Sequence, residues 1–323
     1  MCFDLSVAGR VVMTVLLYLV VYAAALVFAG ACIFRTVSYA RTPIHLRWEL
    51  YPVPHEDPER VKHGGSYFET LDWWTRPRQI SLAGELRFMI VEIFFLKGLW
   101  EHNRRMWYRS FPFHFGLYLL IATLTFLAFG GALSVLAPTP IAVGVNGIIR
   151  LLIGLTGTAG SALATLGALG LLLRRMTDEN LRIYTTVGDI FNLVCFLATL
   201  VVLAAGYLSR GSSSPDLLAI SSGLLTFDVS LEIPMLLSAG LMLSAFLVAY
   251  VPLTHMSHFI AKFFTYHSVR WDDLPNRRGG ELEPKIAESL TYRPTWAAPH
   301  LGADGRKTWA QVVAGKPASE AKK

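Results

Sequence analysis

Charge is what this sequence has least of. Only 16% of its 323 residues are Asp, Glu, Lys or Arg, against roughly 25% in an ordinary soluble domain. Fifty-three per cent are hydrophobic and the mean hydropathy is +0.45. This balance leans strongly towards a membrane protein. Cysteine is almost as scarce. Cys2, Cys32 and Cys195 are far apart in apolar surroundings. No CxxC, CxxCH or ferredoxin-like spacing exists, so the chain carries no ligand set of its own for an iron–sulfur cluster or a c-type haem. Histidine is missing from most of the apolar sequence as well. All nine (45, 55, 63, 102, 114, 255, 258, 267 and 300) fall at or inside one expected membrane boundary.

What is present is long apolar sequence. A hydrocarbon core about 30 Å thick takes roughly 20 apolar residues to cross as a helix. Five stretches qualify: about 9–34, 110–136, 146–173, 187–208 and 231–256. The first lacks a basic n-region and is too long for a signal core, so it is expected to be a retained span. Of the 29 Lys and Arg, all but Arg10, Arg150 and Arg210 fall in the first connection, the third connection or the tail. The positive-inside rule then puts the N-terminus on the periplasmic side of an inner membrane and the C-terminus in the cytoplasm. It also explains the pI near 9.3 without a nucleic-acid partner. The expected fold is an all-α membrane protein. It is a five-transmembrane-helix bundle with a long cytoplasmic loop between spans one and two and a cytoplasmic C-terminal tail.

Four segments follow in order. Residues 1–35 form an anchor helix and 36–109 a cytoplasmic or interfacial loop. Residues 110–262 form a four-helix core and 263–323 an extended docking tail. The loop is rich in Trp, Tyr and Pro from Ile44 to Arg78, which suits a membrane interface or a partner surface. Residues 83–100 are too short to span and too apolar for water, hence an interfacial helix or re-entrant segment. Glu92 lies inside it and is a candidate proton-handling carboxylate beside a quinone, weighed against a carboxylate on the wet face. Asp189 follows Thr185-Thr186 at the start of span four, where it is expected to cap the helix. Loop 209–230 is expected to be a plain connection. The tail's Trp271, Tyr292, Trp296 and Trp309 are expected to fold on a partner.

Chemistry concentrates at two places. Val251-Pro-Leu-Thr-His-Met-Ser-His-Phe259 closes the last span with His255 and His258, and Phe111-Pro-Phe-His114-Phe-Gly116 opens the second. Span two runs inside to outside and span five outside to inside, so the three imidazoles are expected at one depth in the inner leaflet. Facing histidines on neighbouring helices are how membrane proteins hold a b-type haem. On an uninterrupted helix His255 and His258 stand about 60° apart, so either is a possible ligand and the other a possible propionate partner. Arg104, Arg105 and Arg109 are candidate propionate partners. Competing readings are a haem-free anchor, in which the histidines only pack, and a transporter subunit, which calls for midplane charges that the spans lack.

The motifs over 110–262 resemble the gamma subunit of respiratory nitrate reductase, a five-span cytochrome b. The matching pieces are Phe113-His114, Arg174-Arg175, Leu181-Arg-Ile-Tyr-Thr-Thr-Val-Gly-Asp189 and Pro252 with His258. The resemblance implies one inner b haem held by His114 and His258. The positions of a second, outer pair fall on Leu124 and about Gly240, which cannot ligate. Arg47-Trp-Glu-Leu-Tyr-Pro-Val-Pro-His55, Lys262 to Asp273 and Trp296 to Trp309 are similar to a narrower branch, the cytochrome b subunits of sulfate-reducer membrane redox complexes. That likeness implies menaquinone or menaquinol as substrate and a cytoplasmic iron–sulfur partner of the heterodisulfide-reductase type. It also implies other membrane subunits, with a periplasmic multihaem cytochrome c among the possible partners.

Overall fold

In the computed structural model, residues 5–42, 82–137, 139–265, 278–294 and 303–315 are described. The Ile44–Arg78 stretch, Trp271 and Trp296 lie outside them. All regular structure among the described residues is helical. Five helices are long and apolar enough to cross a membrane: Gly9–Arg41, Arg104–Leu136, Gly144–Thr177, Val187–Leu208 and Met235–Leu253. The chain divides into two compact units, one of residues 1–31 and 90–255, the other of 32–89 and 256–323.

The first unit holds four of the five apolar helices whole, with the first of them as far as Ala31. Helix α1 (Leu5–Arg41) is followed by α2 (Leu82–Phe95) and α3 (Lys97–His102), which meet at Leu96 in the left-handed region (φ 50°). Helix α4 runs Arg104–Leu136, six residues ahead of the expected start at 110. The side chain of Asn103 accepts from the Met106 N–H at 3.1 Å and so nucleates the helix early. Pro112 removes one ladder bond without ending it, as membrane helices tolerate. Next come α5 (Thr139–Thr177) and α6 (Glu179–Arg182), then α7 (Val187–Leu208), which matches the expected span. The α7 start is the expected cap: Thr186 and Asp189 form a reciprocal capping box.

Helices α4 and α5 pack antiparallel in one register along their length. A Cβ on Gly167 would lie 2.3 Å from the Phe113 nitrogen, and one on Gly116 would lie 2.4 Å from the Ala164 nitrogen. Midway, the Thr123 and Thr156 hydroxyls bond at 2.7 Å, and at the far end Gly130 faces Ile149 and Asn146. Such contact needs small residues, because lipid gives helices no hydrophobic reason to associate and only close packing holds them. Helix α7 pairs in the same manner with α9 (Met235–Tyr250), Gly206 against Leu237 and Gly240 against Leu203. Gly240 is therefore filled by a neighbouring backbone, and Leu124 is 55% exposed.

Residues 209–230, expected as a plain connection, contain a further helix, α8 (Leu217–Thr226). Asp216 caps it, accepting from the Ala219 N–H at 2.7 Å. Leu218, Ile220 and Gly223 are buried, and Ser221 donates to the Leu127 carbonyl of α4 at 2.7 Å. Leu17 and Tyr18 of α1 cluster with Ile220, Ile233 and Leu237, all buried. Tyr18 donates to the Asp228 carbonyl at 2.9 Å and Thr14 to the Leu231 carbonyl at 3.0 Å.

Span five also departs from expectation. The α-helix stops at Tyr250, and two 3₁₀ turns, Val251–Leu253 and His255–Ser257, follow before α10 (His258–Thr265). Pro252 has no N–H to continue the ladder and its ring crowds the carbonyl four residues back. His255 and His258 are therefore not set 60° apart on one helix.

The second unit includes α10 and two tail helices, α11 (Leu282–Thr291) and α12 (Trp309–Ala314). The tail is thus partly helical where an extended segment was expected. A Thr308–Gln311 capping box starts α12, and the Trp309 N–H donates to the Tyr292 carbonyl at 2.9 Å. Leu282 and Ala303 are buried.

Candidate functional site

Four helix ends meet at one end of the first unit. Arg109 of α4 lies against Gly170 of α5. Arg175, near the end of α5, pairs with Asp189 at the start of α7 (3.4 Å), and Asp189 reaches His255 beyond the end of α9 (3.7 Å). Tyr250 of α9 donates to the Asn192 side-chain oxygen of α7 at 2.9 Å. The sequence assigns Asp189 only a local cap. Its second function, joining three helix ends through Arg175 and His255, depends on tertiary proximity and leaves no mark in the local pattern.

His114 sits nearly three turns inside α4. Its Nδ1 is 2.8 Å from the Ser110 carbonyl oxygen and 3.2 Å from the Ser110 hydroxyl. A carbonyl oxygen only accepts, so this assignment gives Nδ1 a proton, and in the neutral imidazole Nε2 then carries the lone pair. Histidines that ligate metal are held this way, the second nitrogen donating to a carbonyl that fixes ring and tautomer. The neighbouring Phe113 is buried, its ring edge-on to both His114 and Phe196 at centroid separations of 5.5 and 5.2 Å. On this test the donor chemistry of His114 fits an axial ligand to haem iron. His258 starts α10 in the second unit. Among the described residues no cluster of three or more His, Cys, Asp or Glu is arranged for a bare metal ion.

The other candidates fall as follows. Arg105 is exposed and its carbonyl accepts from the Arg109 guanidinium at 2.7 Å. Arg104 stacks over Trp100, 4.6 Å from the ring centroid. The Glu92 carboxylate accepts from the Gly98 N–H at 2.9 Å. It thereby holds the α2–α3 corner, a structural function the sequence reading did not include. His255 is the more exposed partner of its pair, 66% against 16% for Asp189.

No protein-family model, curated protein or solved structure matches this chain. The likeness to the nitrate reductase gamma subunit rests on the quoted residues alone.

Proposed function

We propose that the chain is an integral-membrane electron-transfer subunit that holds one b-type haem, with His114 and His258 as the ligands the sequence resemblance implies, and exchanges electrons with the quinone pool and an iron–sulfur partner. The observation carrying this reading is the Ser110 carbonyl against His114 Nδ1, which orients the ring inside an apolar helix so that Nε2 is the donor atom of the neutral imidazole. The haem would supply one-electron chemistry. The protein's own part is to fix the imidazole, to bring cationic Arg109 and Arg105 to the same helix end for the propionates, and to keep water away with apolar helices. His255, engaged with Asp189, favours His258 as the second ligand. Glu92 has its corner to hold and the reading does not need it. Menaquinol oxidation or menaquinone reduction, and a heterodisulfide-reductase-like partner, belong to the same proposal through the sequence resemblance.

The test is haem b per polypeptide, by pyridine haemochrome, on the purified full-length chain. One haem is expected in the wild type and in His255→Ala. It is expected to be lost in His114→Ala and His258→Ala while helical circular dichroism is unchanged. A wild-type chain without haem overturns the reading in favour of a plain membrane anchor.

A further inference from the structure

The second unit contains a cleft of about 480 Å³ where α1 leaves its apolar stretch, lined by Phe34, Val37, Ser38, Arg41, Thr42 and Tyr292. Its chemistry is graded along the helix. Phe34 and Val37 are exposed apolar walls, 72% and 42% accessible, and Ser38, Arg41 and Thr42 follow within the next turn and a half. The Thr42 hydroxyl is turned back on the helix, donating to the Ser38 carbonyl at 2.8 Å. Among the described residues no carboxylate pairs with Arg41, whereas Arg10 at the other end of the same helix is paired with Glu232 at 3.4 Å. Beside the cleft, Glu288 accepts from the Tyr292 hydroxyl at 3.3 Å. Burial, then the charge and hydrogen bond of Glu288, push the Tyr292 phenol up, so Tyr292 offers the cleft a neutral ring.

The depth of the cleft is marked by a second observation. Phe264 of α10 packs on Tyr39 of α1, centroids 5.8 Å apart and one residue from Ser38. Helix α10, His-Phe-Ile-Ala-Lys-Phe-Phe-Thr, is amphipathic and leaves Phe259 and Phe263 about half exposed. A short helix showing phenyl rings beside Lys262 lies in the plane of a membrane interface. Along α1 the cleft runs from apolar Phe34 and Val37 to cationic Arg41, the order in which hydrocarbon and headgroup follow each other at an interface.

We propose that this cleft binds one anionic glycerophospholipid, its phosphate on the Arg41 guanidinium and Ser38 hydroxyl and the upper part of an acyl chain along Phe34 and Val37. Arg41 matches a phosphate in charge and in the fork geometry of its N–H groups. The helix C-terminus alone repels anions, so the single guanidinium carries the site. The inference is independent of haem.

The test is native mass spectrometry of the full-length chain in a non-ionic detergent, with phosphatidylglycerol, phosphatidylcholine or inorganic phosphate added. Retention of phosphatidylglycerol about fivefold above phosphatidylcholine is expected, the preference one basic residue gives at a membrane surface. Arg41→Gln should reduce it to the phosphatidylcholine level, Ser38→Ala should weaken it less, and Arg10→Gln should leave it unchanged. Equal retention of the two lipids, or undiminished preference in Arg41→Gln, overturns the proposal. So does displacement by millimolar inorganic phosphate, which would make the cleft a free-anion site.

Discussion

Gly167→Ala is a one-carbon test of how α4 and α5 are held together. The added Cβ would stand 2.3 Å from the Phe113 nitrogen and 2.6 Å from its Cα, where carbon–backbone contacts ordinarily settle near 3.5 Å. Both obstacles are backbone, so no side-chain rotation relieves them and the helices must separate by about 1 Å at that level. Overpacking of this kind costs about 1–3 kcal/mol. Here it also forfeits the contacts of neighbouring small residues, because one register runs the length of the pair. Gly154, on the same helix and with nothing within 4 Å of its would-be Cβ, is the control. Gly154→Ala should be neutral or stabilising by up to about 1 kcal/mol from helix propensity. The assay is reversible unfolding in mixed micelles with rising SDS, followed by circular dichroism. Equal stability of the two variants would refute the argument that backbone contact at Gly167 sets the packing. Phe113 adjoins His114, so under the proposed haem site haem content should fall in Gly167→Ala and not in Gly154→Ala.

Two further outcomes follow from local geometry. Asp216 pairs with Arg150 at 2.7 Å as well as capping α8. Burial pushes its carboxyl up, but the Ala219 N–H and Arg150 outweigh that and hold it below the usual carboxylate range. A carboxyl depressed on folding stabilises above its unfolded value, about 3.9, and the contribution disappears as pH falls through the folded value. Stability measured from pH 6 down to pH 3 should therefore decline less in Asp216→Asn, which keeps a cap, while Asp216→Ala should lose about 1 kcal/mol more at pH 6. An identical acid profile in Asp216→Asn would remove the ion pair from the account. At Leu96, with φ 50°, Leu96→Gly should match or exceed the wild type in thermal midpoint and Leu96→Val should fall below both, because a β-branched side chain fits the left-handed region worst. The reverse order would show that the Leu96 side chain, not the backbone turn, holds the α2–α3 corner.

The five apolar helices were legible because hydrophobic length is a one-dimensional property, and Val187–Leu208 was read to the residue because Thr186 and Asp189 announce its start. Helix α8 was passed over because its ten residues, Leu217–Thr226, are too short to span and lie between serine- and glycine-rich turns. Only the partners Leu127, Tyr18 and Ile233 make it worth burying. The break after Tyr250 was available from Pro252, but the long apolar run around it masked the signal. Asn103 likewise marks the start of α4, and was outweighed by Phe-Pro at 111–112. At the candidate site, residue types pointed to His114, whereas the Ser110 carbonyl that sets its tautomer is a backbone group at i−4, invisible as a motif. Glu92 shows the converse: a carboxylate in apolar sequence invites a functional reading, and a glycine N–H six residues on gives it a structural one.

The contacts of α1 bear on how the protein is made. Leu17 and Tyr18 pack on Leu203, Tyr207, Ile220, Ile233 and Leu237, and Thr14 and Tyr18 bond to carbonyls of Leu231 and Asp228, 217 and 210 residues further on. Helix α1 thus has its core partners in segments synthesised more than 200 residues after it. The α4–α5 hairpin closes on itself as soon as it is translated, but α1 must wait in the bilayer for about 200 more residues, some tens of seconds at elongation rates of about 5–20 residues per second. Throughout that interval the hydroxyls of Thr14, Tyr18 and Tyr22 are without their carbonyls, and α1 is the helix that a chaperone or a neighbouring subunit has the time to meet.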